Sequence, residues 1–193
     1  KDWAGAIYLD NSSMIIENCV FEGNKAEEHA GALYYTNSEV SLKNCSFNNN
    51  EGKYGGAISA SKNESVSVFE NCDFEGNVAS NNAGVLTTDN SPNVFKNCSF
   101  INNEAPWGGA LVLYINSSSE IVNCTFEGNH ATGSSGGAIY ADSSEVNIYN
   151  NAFRGNEAYQ NGGAIYNRAT ADLKAYNTLF TGNVNGDIIN DDG

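Results

Sequence analysis

The sequence predicts an all-β protein, a right-handed parallel β-helix (solenoid) of about seven coils, and three observations carry that prediction. Two motifs alternate along the whole chain, no segment shows a helical hydrophobic period, and one column of side chains alternates in charge as parallel stacking requires.

The first motif is Phe-x-x-Asn. Phe21, Phe47, Phe74, Phe100, Phe126, Phe153 and Phe180 are each followed three residues later by Asn, and successive Phe residues lie 26 or 27 apart. Between them recurs Gly-Ala-Ile/Leu, at Gly5-Ala6-Ile7, Gly31-Ala32-Leu33, Gly56-Ala57-Ile58, Gly109-Ala110-Leu111, Gly137-Ala138-Ile139 and Gly163-Ala164-Ile165. Gly84-Val85-Leu86 is a variant, and Gly186-Asp187-Ile188 a degenerate eighth copy. Self-similarity at a fixed period marks a repeat array, whose core forms between neighbouring copies. Residues 1–193 are therefore expected to form one β-helix repeat domain.

Helical repeats of this length need an amphipathic segment with apolar positions at i, i+3, i+4 and i+7. None is present, whereas short alternating runs lie between Gly, Asn and Ser. Two residues before each Asn-Cys or its equivalent stand Ile16, Leu42, Phe69, Phe95, Ile121, Ile148 and Ala175, a column expected to face inward. The next residue in each copy, Glu17, Lys43, Glu70, Lys96, Val122, Tyr149 and Tyr176, should face solvent because strand side chains alternate. Its first four members alternate in sign, as a ladder of in-register parallel strands favours and a hairpin does not. Each coil should give two or three strands, and about seven coils at ~4.8 Å each make a rod roughly 34 Å long.

Three further columns follow from that winding. The Phe residues stack inside, as do Ile7 and its equivalents through Ile165. Asn18, Asn44, Asn71, Asn97, Asn123, Asn150 and Asn177 read as an internal corner ladder in which each amide bonds the copies above and below. The Asn that closes Phe-x-x-Asn follows Gly at Gly23, Gly76, Gly128, Gly155 and Gly182, which marks a tight turn. All five cysteines, Cys19, Cys45, Cys72, Cys98 and Cys124, fall in one column that continues as Asn151 and Thr178. Stacked Cα atoms near 5 Å fall within disulfide range, yet parallel side chains and an odd count favour a stack of free thiols. No Cys-x-x-Cys or His cluster suggests a metal, and no cofactor is expected.

A net charge of −14 argues against nucleic acid and anionic membrane, both of which call for basic patches. No apolar run approaches the ~18 residues of a spanning helix, so no membrane insertion is expected in this segment. The chain opens inside a coil at Lys1-Asp2-Trp3-Ala4-Gly5, which suggests further domains of the same chain on either side.

The pairing of Phe-x-x-Asn with Gly-Gly-Ala-Ile/Leu resembles the repeat of the chlamydial polymorphic outer-membrane proteins, also seen in adhesin-like surface proteins of methanogenic archaea. The resemblance implies an extracellular, cell-surface β-helix used in adhesion, with protein or carbohydrate at another cell's surface as partner. Ala30-Gly31 and Ala83-Gly84-Val85 depart from the pattern by small residues.

The candidate binding residues are Trp3, His29, Tyr54 and Trp107, which lie in one loop column with Asn82, Ser135 and Asn161. Loop aromatics on a rigid platform suit a sugar face or a protein hot spot; the plainer alternative is that they shield a neighbouring turn. A second exposed set is expected at Tyr8, Tyr34, Tyr140 and Tyr166. No catalytic residue is expected. The rival reading, a polysaccharide lyase or glycoside hydrolase of β-helix type, rests on Asp89 and Asp142 two coils apart, roughly 9.6 Å, at the upper end of an inverting pair's separation.

Overall fold

The computed structural model describes residues 2–168 and 171–191 as an uninterrupted series of short parallel strands, coil upon coil, forming a right-handed β-solenoid of about seven turns. Four parallel sheets run along the axis. The first holds eight strands from Ile7–Asp10 to Ile188–Asp191, and the second seven from Ser13–Glu17 to Leu173–Tyr176. The third holds seven from Val20–Glu22 to Leu179–Thr181, and the fourth five from Glu51–Gly52 to Glu157–Ala158. Central coils thus carry four strands rather than two or three. The extra strand is only two residues long, Val78–Ala79 or Glu104–Ala105 for example, too short to show a period in sequence.

The register places equivalents over one another. Phe21 pairs with Phe47, Phe47 with Phe74, and so on to Phe180. Their rings stack at centroid distances of 4.5 to 5.3 Å. Ile16, Leu42, Phe69, Phe95, Ile121 and Ile148 are buried as expected. Ala175 is exposed, because the last full coil has no neighbour over its inner face. The degenerate eighth motif completes the first sheet, with Ile188 in register on Ile165.

The coils close so tightly at Gly-Ala-Ile that a Cβ on Gly109 would stand 2.1 Å from the Gly137 carbonyl oxygen. That contact, rather than an unusual φ, fixes glycine there.

The corner Asn column is corrected in one respect: it is exposed, not internal. Asn18 through Asn177 all adopt positive φ, 46° to 56°, a left-handed corner that Asn tolerates better than other side chains. The turn points the amides outward, where Asn44 Nδ2 donates to Asn18 Oδ1 and Asn71 Nδ2 to Asn44 Oδ1, each at 3.1 Å. The buried ladder is the second Asn of Phe-x-x-Asn. Asn103 Oδ1 accepts from both the backbone N–H and Nδ2 of Asn77, while Asn103 Nδ2 donates to Asn129 Oδ1 and to the Phe74 carbonyl. The left-handed residue before it is Gly, or Asn at Asn49 and Asn102.

The five cysteines are free thiols, four of them buried. Each donates to the carbonyl two residues back, Cys45 to Lys43 at 3.2 Å and Cys124 to Val122 at 3.3 Å. Sulfur also occupies the acceptor position of a corner ladder, since the Cys98 N–H donates to Cys124 Sγ and the Cys124 N–H to Asn151 Oδ1. The thiol of Cys98 is pushed up to about 12 by its bond to Cys124 and by burial, so it stays protonated at neutral pH.

The charge column is in register, and Lys43 Nζ lies 3.6 Å from Glu70 Oε2. Glu17 with Lys43 and Glu70 with Lys96 are neighbours that do not close to an ion pair. Both members of the closed pair are more than two-fifths exposed, so screening leaves it little energy. Lys43→Ala should change the unfolding free energy by about 0.5 kcal/mol or less, read from a urea transition.

Candidate functional site

The outer face of the first sheet presents two columns. Directly after the inward Ile/Leu of each coil come Tyr8, Tyr34, Ser59, Thr87, Val112, Tyr140, Tyr166 and Ile189, all in register. Two residues further on come Asp10, Thr36, Ser61, Asp89, Tyr114, Asp142, Arg168 and Asp191. The loops that precede Gly5, Gly31 and Gly109 fold over this face and bring Trp3, His29 and Trp107 against its tyrosines.

Three of the four candidate binding residues gather. Trp3 and His29 have ring centroids 5.1 Å apart and His29 and Tyr54 5.3 Å apart. His29 lies flat on Tyr34, at 4.2 Å and 12° between planes, and Tyr8 also stacks on Tyr34, at 5.5 Å and 19°. Burial against these rings lowers the His29 pKa from its usual value, which keeps the imidazole neutral at pH 7. Trp107 belongs elsewhere. It meets Tyr140 edge-on at 5.1 Å, in a second cluster with Val112, Tyr114 and Tyr166.

The expected second exposed set is corrected by the same geometry. Tyr8 is exposed, but Tyr34, Tyr140 and Tyr166 are buried, because loop side chains and neighbouring rings cover them. The Tyr34 hydroxyl meets Ser61 Oγ, and Tyr166 donates to Asp191.

Between the two aromatic clusters the column falls to small residues, Ser59 and Thr87, and the loop above them carries Asn82. The result is an open cleft of about 300 Å³, with Ser59, Ser61 and Thr87 at its base. His29, Tyr34 and Tyr54 stand on one side, Tyr114 and Ile115 on the other, and Asp89 is at the edge. Thr87 Oγ1 donates to the Tyr54 carbonyl, which ties the loop to the sheet at the base. Ser59 was not singled out in the sequence, and Asn82 was placed in the loop column without being named as a binding candidate. The available signal was the pair of small residues interrupting a column of Tyr. A larger concavity, about 500 Å³, opens beside the turn after the first sheet and is lined by Asn, Ser, Glu and Lys side chains without an aromatic ring.

The two aspartates of the rival reading do share this outer face, but Tyr114 sits between them in register. Asp142 Oδ2 is 3.2 Å from Arg168 Nη1, and its other oxygen accepts from the Ser143 hydroxyl. Asp89 accepts only a 3.3 Å bond from Asn90. Among the described residues no group of three or more His, Cys, Asp or Glu is placed to hold a metal ion, and no helix is long and apolar enough to cross a membrane.

Residues 1–153 match the family described as right handed beta helix region, and residues 152–168 match the Chlamydia polymorphic membrane protein repeat. No curated protein and no solved structure matches the chain.

Proposed function

The chain belongs to the right-handed β-helix family, and on that premise we propose that it is a non-catalytic adhesive module displayed at a cell surface. The interior is used up by ladders that repeat from coil to coil, so the loops and outer faces are the surface free to bind. The observation that supports adhesion most is the cluster of Trp3, Tyr8, His29, Tyr34 and Tyr54 beside an open cleft, with Trp3 and Tyr8 exposed. Rigid, partly exposed aromatics are the residue types that dominate recognition energies. The polymorphic membrane protein repeat match and the charge of −14 support display outside the cell, where an acidic surface keeps an extended protein soluble.

Binding of the protein to target cells should weaken about tenfold or more in Tyr54→Ala, the loss expected when a recognition aromatic is truncated. Surface plasmon resonance or cell-binding titration checks this, and unchanged affinity counts against the reading. Trp107→Ala separates the two clusters: it should leave binding intact if recognition resides at the His29–Tyr54 end. The enzymatic alternative is tested on a panel of acidic and neutral polysaccharides, where neither new reducing ends nor unsaturated products should appear. Product release abolished by Asp142→Ala would establish it instead.

A further inference from the structure

We infer that the cleft over Ser59 and Thr87 is a subsite for an uncharged hexopyranose residue of a glycan, a refinement that rests on the adhesive reading above. The size and chemistry of the cleft both point there. At about 300 Å³ it exceeds what a single ammonium or methyl group would fill and suits a pyranose ring with part of its neighbour.

Its walls are faces and edges of Tyr and His rings, which pack against the C–H face of a sugar. Its base and rim hold polar groups that have no hydrogen-bond partner among the described residues: the Ser59 hydroxyl, the Asn82 carboxamide and the phenol oxygens of Tyr54 and Tyr114. Burial and the neighbouring Tyr140 push the Tyr114 hydroxyl up to about 12, so it remains a donor at neutral pH. Mixed donors and acceptors around apolar walls match a ring bearing several hydroxyls better than they match an aliphatic side chain.

Charge decides the class of sugar. Asp89 stands at the cleft with one weak hydrogen bond, and the whole chain carries −14. A uronate would bring its carboxylate toward Asp89, which lines the cleft, whereas the nearby cation Lys53 is not part of the lining and is held over the Tyr54 ring, 5.3 Å from its centroid. Neutral and N-acetylated hexoses escape the repulsion.

The test uses the intact protein on a glycan array holding neutral, N-acetylated and uronate-containing oligosaccharides, followed by calorimetric titration of the best binder. Ser61→Phe fills the cleft base from a half-buried position on the outer face, at the loss of the Ser61 Oγ contacts to Tyr34 and Thr36, and Tyr54→Ala removes a wall. Neutral or N-acetylated glycans should bind, uronates should not, and each variant should weaken binding about tenfold or more while its circular dichroism and cooperative unfolding still report a folded β-helix. Absence of neutral-glycan binding, preference for uronates, or binding that both variants retain would overturn the subsite. Cell binding that survives enzymatic deglycosylation and Ser61→Phe would assign adhesion to a protein partner, leaving the adhesive reading intact and the sugar subsite refuted. Loss of all cell binding by the wild type would refute the adhesive reading itself.

Discussion

Replacing Asn103 by Leu should lower the unfolding free energy by about 3–6 kcal/mol, the largest effect expected of any single side chain here. Leu keeps the branch at Cγ and the number of heavy atoms while being bulkier, so the hydrogen bonds are lost and no cavity is opened. The Asn77 N–H and one Asn77 Nδ2 hydrogen lose their acceptor, and the Phe74 carbonyl loses its donor, all in a fully buried corner. Each orphaned buried group costs about 1–3 kcal/mol. Asn103→Asp sharpens the test because it keeps the acceptor and removes the donor. A carboxylate there would face the Phe74 carbonyl and Asn129 Oδ1, so its folded-state pKa is raised above the unfolded value of about 3.9. The variant binds more protons folded than unfolded. Its deficit should therefore be full at neutral pH and shrink as pH falls toward about 4, which urea titrations at several pH values will show. The surface ladder should behave otherwise: Asn97→Gly keeps the left-handed turn and loses two exposed amide bonds, the one Asn97 donates to Asn71 and the one it accepts from Asn123, for a change of about 1 kcal/mol or less because water replaces both.

Phe100→Ala should cost about 3–5 kcal/mol. The ring lies between Phe74 at 5.0 Å and Phe126 at 4.5 Å, with Phe95 edge-on at 5.6 Å, and all four are fully buried. Backbone pairing above and below holds the coil spacing, so the cavity cannot collapse. Phe21→Ala should cost less, since that ring has a stacking partner on one side and sits in the first coil, where neighbours are fewer. Chemical denaturation followed by far-ultraviolet circular dichroism measures both. Equal losses at the two sites would argue against a continuous stack.

The winding, the inward columns and the register were legible because a solenoid writes each position seven times. Phe at 26- or 27-residue spacing, the Gly-Ala-Ile motif and the alternating Glu17, Lys43, Glu70 and Lys96 all state the same neighbour relation. The depth of the two Asn columns was not legible. Both are nearly invariant along the chain, and the φ angles that turn Asn97 out and the chain path that turns Asn103 in depend on coil geometry. The same limit hid the cleft. Tyr34 and Tyr140 were read as exposed because alternation places them on the outer face, and nothing in a strand period says that a loop folds back over that face. Ser59 and Thr87 were silent for a related reason: a cleft is recorded in sequence as the absence of bulk, and a column must be read along the axis before the gap appears.

Each coil lies directly on the one before, with successive Phe residues 26 or 27 apart in sequence and paired in register. Nuclear Overhauser contacts among Phe rings, in a sample with labelled Phe side chains, test it most directly. Stacked coils give an unbroken chain of ring contacts from Phe21 through Phe47, Phe74, Phe100, Phe126 and Phe153 to Phe180, with the closest pairs at 4.5 Å between centroids. Contacts between strands joined by tight hairpins, with none between successive Phe residues, would contradict it.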